Sequence, residues 1–310
     1  MTPSNDHVLV LVAGPGARIA PVQAGAVRDA LNAAGLRPGA IGWLCEDEAC
    51  EIPLPDAAPD RVGDIPNLAR RVLRGAPVDL AVVPVLGRRK RLLVADMDST
   101  IVDSETLDEL AAEAGVKARV APITARAMNG EIDFKAALRE RVALLADLPV
   151  TALERTFAKV RLNPGAATLV ATMRANGAHA LLVSGGFRFF TSRVAAMAGF
   201  HGDRSNEFEI AGDRLTGRVV EPILDKEAKV EALLQASAHL GVGTEAAVTV
   251  GDGANDLPML LRAGLGVAWR AKPAVAASAP VRIDHADLTA LLYLQGYRRA
   301  EFVLSAPDAA

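Results

Sequence analysis

The sequence predicts an α/β protein in which a small sheet domain precedes a larger one. The larger domain is expected to contain a doubly wound parallel sheet with a helical insertion after its first strand. Two observations predict this architecture. Short apolar runs alternate with helical patterns, and in the second part of the chain each run ends in a cluster of Gly, Asp or Ser. One connection there is also far longer than the ~30 residues of a strand–helix–strand unit.

The composition is that of an ordinary globular protein. Of the 310 residues, 51% are hydrophobic and 23% are charged, which excludes a disordered or a collagen-like chain. The net charge of −3 gives no reason to expect a nucleic-acid partner. No apolar run approaches the ~18 residues of a membrane span, and the N-terminus lacks the positive region of a signal peptide. We therefore expect a cytoplasmic protein, in which Cys45 and Cys50 are reduced thiols.

Residues 1–88 are predicted to fold as a small sheet domain. Strands are predicted at residues 7–13, 40–45, 51–54 and 79–85, and helices at residues 22–34 and 64–73. The resulting βαββαβ order is that of a ferredoxin-like unit. Pro84 should lie at a sheet edge or a bulge, because proline has no N–H to donate to a neighbouring strand. The basic residues 87–90 are predicted to form a short exposed linker.

Residues 89–310 are predicted to contain the parallel sheet. Its strands are predicted at residues 91–96, 178–183, 247–250, 265–268 and 281–283, with crossover helices between them. A helical cap is predicted at about residues 106–163, with residues 131–145 as its clearest helix. Alternating apolar residues around Gly212 and Asp213 predict a β-hairpin at residues 207–219. In such sheets, ligands bind at the carboxyl ends of the strands.

Polar motifs follow three of the predicted strands at that edge. Asp96 and Asp98 end the first strand, and such a carboxylate pair suits metal binding, acid–base catalysis or a nucleophile beside its proton carrier. Ser184 and two glycines follow the second strand, where backbone N–H groups can approach an anion. The acidic segment 251–256 could bind a hard cation. Taken alone, each motif is also compatible with an ordinary turn. Lys229 lies in a predicted helix before the third of these strands, and taken alone it is compatible with a solvated helix face.

Together, these features closely resemble the four motifs of the haloacid dehalogenase-like phosphohydrolases. The motifs are the Asp pair, Ser-Gly-Gly, a lysine, and Gly-Asp-Gly-x-Asn-Asp, in that order. The resemblance covers residues 91–310 and implies a Rossmann-like sheet with a helical cap. Further matches at Glu105, residues 128–130, Phe134 and Arg141 resemble the phosphoserine phosphatase branch.

The resemblance implies a role for each motif residue. Asp96 would be the nucleophile and Asp98 the general acid–base. This role needs a raised pKa, which burial and the nearby Asp96 should give to Asp98. The implied ligands of the phosphoryl group are Ser184, the Gly185 backbone and Lys229, while Asp252 would bind magnesium with the Asp96 carboxylate and the Asp98 carbonyl. Asn255 and Asp256 would orient water, substrate or Lys229. The amino-acid half of the pocket would be lined by Glu105, Arg141, Met128 and Phe134.

The charges of this expected pocket fit a phosphorylated amino acid. Glu105 and Arg141 would match the ammonium and the carboxylate of serine, although Arg141 is also compatible with an exposed helix face. Mg²⁺ and Lys229 would offset the repulsion between Asp96 and a phosphate dianion. The resemblance thus implies Mg²⁺-dependent hydrolysis of O-phospho-L-serine through an aspartyl-phosphate, the last step of serine biosynthesis.

Two other functions remain open from the sequence. The first is phosphoryl transfer from Asp96 to another alcohol, such as homoserine. The second is an amino-acid-sensing regulator with degenerate catalysis, which the complete set of motif residues argues against. The N-terminal unit resembles an ACT domain in element order and length. That resemblance implies a homodimer and a serine site near Gly14-Pro15-Gly16, with a role in dimerisation or stability alone as the alternative.

Overall fold

A computed structural model describes residues 6–55, 57, 59–128 and 131–304, with the backbone alone for residues 59, 60 and 128. Its first seven elements are β1 (His7–Ala13), α1 (Pro21–Ala33), β2 (Gly42–Cys45), β3 (Ala49–Leu54), α2 (Pro59–Val62), α3 (Ile65–Leu73) and β4 (Val78–Pro84). The strands pair antiparallel in the order β2-β3-β1-β4. The predicted ferredoxin-like unit is therefore confirmed, and β4 lies at an edge, as its terminal Pro84 requires.

The two faces of this N-terminal sheet are buried against different partners. Leu9 and Leu11 of β1 pack with residues of α1 and α3. Val8, Val10 and Val12 alternate to the opposite face and join the hydrophobic core of the larger unit. Because all five side chains are at most 2% exposed, the sheet lies between its own helices and the rest of the protein.

The segment between the two units is only partly exposed, in contrast to the predicted exposed linker: Gly87 and Arg89 are exposed, but Arg88 is half-buried and Lys90 is buried. Arg88 donates from Nε to the carbonyl of Leu294 at 2.6 Å and from Nη2 to that of Tyr293 at 3.0 Å. It also pairs with Glu51 at 2.6 Å, and Lys90 is only 7% exposed. Carbonyls at the C-terminal end of a helix lack intrahelical partners and attract cations, which explains why the Arg88 guanidinium packs against Tyr293 and Leu294.

Asp79 on β4 connects the N-terminal sheet to the larger unit. Its carboxylate accepts hydrogen bonds from the backbone N–H groups of Asp284, His285 and Ala286, at 2.8, 3.0 and 2.7 Å. A buried carboxylate needs such donors, and here all three belong to the other unit. The two units share this interface, and the presence of an interface does not fix where one unit ends. The division of the chain at residue 88 therefore stays a prediction.

The strands of the larger unit confirm the predicted parallel sheet. They are β5 (Leu92–Ala95), β6 (His179–Phe187), β7 (Gly202–Asn206), β8 (Phe208–Ala211), β9 (Arg214–Val219), β10 (Ala247–Gly251), β11 (Leu265–Trp269) and β12 (Val281–Ile283). Six of them run parallel in the order β12-β11-β10-β5-β6-β7, and β8 and β9 form the predicted hairpin. Strand β7 was not predicted, because the edge strand GDRSN has no apolar run to mark it.

Helices cover both faces of this sheet and build the cap. They are α4 (Thr106–Glu113), α5 (Lys117–Met128), α6 (Phe134–Ala143), α7 (Thr151–Phe157), α8 (Ala166–Ala175), α9 (Arg188–Ala198), α10 (Lys226–His239), α11 (Leu257–Arg262), α12 (Pro273–Ser278) and α13 (Ala290–Leu294). Helices α4–α7 lie between β5 and β6 in the chain, where the helical insertion was expected. Among the described residues, no helix combines the length and the apolar character that a membrane crossing needs.

The central strand β5 determines where a ligand can bind. Its neighbours are β6 on one side and β10 on the other, so the strand order reverses direction there. Alternate residues of β5 belong to separate cores on the two faces, Leu93 and Ala95 to one and Leu92 and Val94 to the other. The crevice at the carboxyl end of such a switch-point strand is the usual ligand site of an open α/β sheet.

Candidate active site

The carboxyl ends of three adjacent strands bring the sequence motifs together. Asp96 and Asp98 follow β5, Ser184 lies near the end of β6, and Asp252 follows β10. They line a cavity of about 130 Å³ to which the cap contributes one wall. The predicted site residues that line this cavity are Asp96, Asp98, Glu105, Phe134, Arg141, Ser184, Gly185, Asp252 and Asn255. The side chain of Met128 lies outside the described part of the chain.

The turn after β5 holds the two aspartates in place. The Asp96 carboxylate accepts the backbone N–H of the next residue at 2.8 Å. Ser99 has left-handed backbone geometry, with φ 54°, which is uncommon for a residue other than glycine and turns the chain sharply. Asn163 donates to the carbonyls of Thr100 and Val102 at 2.8 and 2.9 Å. No role was predicted for Asn163, because a single asparagine carries no motif.

Lys229 on α10 is buried against two carboxylates. Its Nζ atom lies 2.7 Å from Asp96 Oδ1 and 2.5 Å from Asp256 Oδ1. Asp256 also accepts the backbone N–H of Gly253 at 2.9 Å. Burial alone lowers the pKa of Lys229, but the carboxylates of Asp256 and Asp96 raise it above its usual range. The lysine therefore remains a fixed positive charge beside Asp96. Its burial excludes the alternative that Lys229 belongs to a solvated helix face.

An excess of buried negative charge surrounds this lysine. Carboxylate oxygens of Asp96, Asp252 and Asp256 lie within 4.8 Å of one another, and all three residues are buried. Burial and the charge of Asp256 raise the pKa of Asp96 well above its usual range and that of Asp252 to about 6. One lysine cannot neutralise three carboxylates, so the cluster fits a hard cation, which prefers oxygen ligands.

Asp98 is placed to carry a proton. Its carboxylate accepts the backbone N–H of Thr106 at 2.8 Å and the hydroxyl of Ser184 at 3.3 Å. Burial and the negative charge of Glu105 raise the pKa of Asp98 to about 6. Burial and Asp96 were expected to raise this pKa; burial does so, but the contributing carboxylate is that of Glu105. A pKa in this range suits a general acid–base near neutral pH.

Two opposite charges, those of Glu105 and Arg141, also line the cavity. The Ser99 hydroxyl donates to Glu105 Oε1 at 2.8 Å, and Arg141 on α6 faces the same cavity. Phe134 covers Gly185 so closely that a Cβ atom on this glycine would lie 3.1 Å from the ring. The structure thus brings Glu105, Phe134 and Arg141 to the same cavity as the aspartates, as expected from the resemblance.

Lys272 is a cavity residue that the sequence analysis missed. It lines the cavity, and its backbone N–H donates to the Asp252 carbonyl at 3.1 Å. Lys272 precedes α12 and belongs to no recognised motif, so no signal in the sequence singled it out. Its positive charge lies near the acidic cluster and lowers the pKa of Asp252 against the effect of burial.

The fold and this cluster of residues define a hydrolase of known class. A family model described as "haloacid dehalogenase-like hydrolase" matches residues 93–261, which is more than half of the chain. The chain belongs to the haloacid dehalogenase-like hydrolases.

Its relatives include phosphoserine phosphatases. Phosphoserine phosphatase SerB2 of Mycobacterium tuberculosis is 43% identical over 253 residues, which make up 81% of this chain and 61% of that protein. The phosphoserine phosphatase of Streptomyces coelicolor is 44% identical over 226 residues, 72% of this chain and 55% of that protein. In both cases, the chain spans less than two thirds of the relative's length.

A solved structure extends the similarity to the N-terminal unit. The crystal structure of a probable phosphoserine phosphatase from Vibrio cholerae has a TM-score of 0.75 and 31% sequence identity. The superposition covers 95% of this chain and 88% of that chain. Since nearly the whole chain is covered, the similarity includes the sheet that precedes the catalytic unit.

Proposed function

We propose that the protein is a Mg²⁺-dependent phosphoserine phosphatase that hydrolyses O-phospho-L-serine to L-serine and phosphate, the last step of serine biosynthesis. One observation carries this proposal. A single cavity is lined both by Asp96, Asp98 and Ser184 and by the opposite charges of Glu105 and Arg141. Its volume of about 130 Å³ is below the ~300 Å³ of drug-sized pockets, which favours a small phosphorylated metabolite over a bulky substrate.

The charge distribution supports a site for both halves of phosphoserine. Ser184, the Gly185 backbone and Lys229 would hold the phosphoryl group, with Asn255 and Asp256 orienting the groups around it. Glu105 would bind the ammonium and Arg141 the carboxylate, which can accept two parallel hydrogen bonds from a guanidinium. Phe134 would cover the substrate, with Met128 as a further proposed contact.

Magnesium would be held by the Asp96 and Asp252 carboxylates and the Asp98 carbonyl. When bound, it supplies positive charge that offsets the repulsion between these carboxylates and a phosphate dianion. The buried excess of negative charge around Lys229 supports this assignment.

The reaction follows from the positions of the two aspartates. Asp96 attacks phosphorus to give an aspartyl-phosphate, while Asp98 donates a proton to the leaving serine oxygen. Asp98 then takes a proton from the water that hydrolyses the intermediate. Lys229 remains charged throughout and stabilises the charge on the phosphoryl oxygens.

The test is phosphate release from a panel of phosphorylated small molecules, with Mg²⁺ and with EDTA. The panel contains phosphoserine, phosphoethanolamine, which lacks the carboxylate, and p-nitrophenyl phosphate. We expect phosphoserine to give the highest kcat/KM. A second reaction with added homoserine separates hydrolysis from transfer, since phosphohomoserine forms only if Asp96 passes its phosphoryl group to the alcohol. A protein inert toward the whole panel would fit the regulator and contradict this proposal.

Replacing Arg141 by alanine should weaken phosphoserine binding. Loss of a desolvated charge pair costs roughly 2–5 kcal/mol, so KM for phosphoserine should rise strongly. The KM for p-nitrophenyl phosphate, which has no carboxylate, should change far less. Arg139→Ala is the matched control, because Arg139 lies on the same helix but pairs with Glu221 at the surface. Equal losses on both substrates would instead assign Arg141 to the fold or the phosphate site.

Removal of the metal should change both the activity and the thermal stability of the protein. EDTA is expected to abolish phosphate release, and Mg²⁺ to restore it, with Ca²⁺ a poor activator because it prefers more ligands and looser geometry. Mg²⁺ should also raise the Tm of metal-free protein, since it relieves repulsion among buried carboxylates. The Asp252→Asn variant should lose most of this rise. Full activity after EDTA treatment would disprove the metal requirement.

The N-terminal unit is proposed to bind serine and to form a homodimer. A second cavity of about 480 Å³ adjoins the turn Gly14-Pro15-Gly16, and residues of the larger unit, Asp287 and Thr289, complete it. The outer edge of β2 has no neighbouring strand among the described residues and is free to pair with a second copy. Calorimetric titration with serine and sedimentation analysis test the two proposals separately.

The cellular compartment is a further part of this proposal. Cys45 and Cys50 are free thiols, as expected in a reducing compartment. We therefore propose a cytoplasmic enzyme.

A further inference from the structure

Arg141 is held by an acidic side chain that no sequence motif includes. Its Nη2 atom donates to Asp108 Oδ1 at 2.7 Å. Arg141 lies on α6 and lines the active-site cavity, whereas Asp108 lies on α4 and is absent from the described cavity lining. We propose that Asp108 is a positioning residue that orients the Arg141 guanidinium for the carboxylate of the substrate. This inference rests on the proposed function.

The hydrogen-bond pattern of Arg141 leaves donors for a ligand. A guanidinium has five N–H donors arranged in a plane, and Asp108 engages only the Nη2 end. The Nε atom is buried and has no hydrogen-bond partner among the described residues. Asp108 therefore leaves donors of the guanidinium unpaired in a residue that lines the active-site cavity, where a substrate carboxylate would bind.

The surroundings of the pair favour a fixed orientation. The side chains of Arg141 and Asp108 are 18% and 34% exposed, whereas those of Arg126 and Glu140, another ion pair of the cap, are 45% and 44% exposed. A sheltered ion pair is less screened by salt and water than an exposed one. Asp108 therefore restricts the long arginine side chain before the substrate arrives, which lowers the entropic cost of binding.

A purely structural role is the alternative, because the pair also links α4 to α6. Phosphoserine and phosphoethanolamine distinguish the two roles, since only phosphoserine carries the carboxylate that Arg141 would bind. In full-length Asp108→Ala, we expect KM for phosphoserine to rise about tenfold, with kcat changed less than about twofold, because only substrate alignment is lost. The KM for phosphoethanolamine should stay within about twofold of wild type.

Two further variants complete the experiment. Asp108→Asn retains an acceptor oxygen without the charge and should show a smaller rise in the phosphoserine KM than Asp108→Ala. Glu113→Gln is the matched control, because it removes an acidic charge and an ion pair to Arg155 from the same helix. It should change neither KM. Activity on phosphoethanolamine also shows whether each variant is folded.

A double variant tests whether Asp108 acts through Arg141. In an Arg141→Ala background, Asp108→Ala should cause no further rise in the phosphoserine KM, because coupled residues are not additive. Additive effects, or equal KM rises on both substrates, would overturn the positioning role. An unchanged phosphoserine KM in Asp108→Ala would overturn it as well, with the proposed function intact. A wild-type protein inert toward phosphoserine would overturn both.

Discussion

Replacement of Asp96 by asparagine is expected to reduce kcat for phosphoserine by roughly 10⁴-fold or more, the scale seen when a catalytic nucleophile is removed. The amide cannot form the aspartyl-phosphate, and without the negative charge of the carboxylate it should bind a metal ion more weakly. The fold should survive, because asparagine has nearly the same shape and Lys229 keeps its contact with Asp256 at 2.5 Å. Activity is measured by phosphate release, and folding by the thermal unfolding transition.

The covalent intermediate gives an independent measurement for the same variant. Wild-type protein quenched during turnover should carry a phosphoryl group on the peptide that contains Asp96, and Asp96→Asn should not. Asp103→Asn is the matched control, because this exposed aspartate belongs to the same loop. It should keep wild-type kcat and the phosphorylated peptide. Near-wild-type turnover in Asp96→Asn would rule out the proposed mechanism.

Deletion of residues 1–87 is expected to yield an insoluble or loosely packed catalytic unit, although every motif residue is retained. An exposed linker between independent units would let the truncated chain fold and remain active, whereas the packing of the N-terminal sheet on the larger unit favours the opposite outcome. The deletion exposes apolar surface that Val8, Val10 and Val12 cover, and exposed patches of this kind promote aggregation. It also leaves the three N–H groups bound by Asp79 without their acceptor.

Separate expression of the two pieces tests this interface directly. Residues 88–310 produced alone should aggregate or unfold without a cooperative transition. Co-production with residues 1–87 as a second chain should restore a soluble complex with phosphatase activity, because the apolar face is covered again. The same experiment with Asp79→Ala in the small fragment should recover less complex. A soluble, cooperatively folded and fully active fragment 88–310 would show that the two units are independent.

Much of the fold follows from local patterns in the sequence. Strand β1 was predicted at its observed bounds, His7–Ala13, because an apolar run followed by Gly-Pro-Gly has a clear end. The cap was predicted because a parallel crossover needs far fewer residues than this chain places between Asp98 and Ser184. Edge strand β7 was missed because its pairing with β6 depends on the rest of the sheet and not on its own residues.

The set of candidate site residues also follows from the sequence. Parallel strands align their carboxyl ends, so the order of the motifs along the chain was enough to place Asp96, Ser184 and Asp252 around one cavity. The resemblance to a known family then assigned expected roles. The placement of these three residues needs only their types and the strand that each one follows, and the observed cavity agrees with that placement. The resemblance alone supplied Glu105, Phe134 and Arg141.

Only the tertiary structure decided how these side chains are charged and held. The burial of Lys229 between two carboxylates and the contact of Asp108 with Arg141 join residues distant in the sequence. The burial of Arg88 against the end of α13 is of the same kind. The effect of Glu105 on the pKa of Asp98 depends on how the turn between them folds. Such interactions depend on distances of a few ångströms and on local solvent exposure, because Coulomb energy and desolvation both change steeply over that range. Sequence patterns carry periodicity and order along the chain, whereas these distances exist only after packing has brought separate elements together.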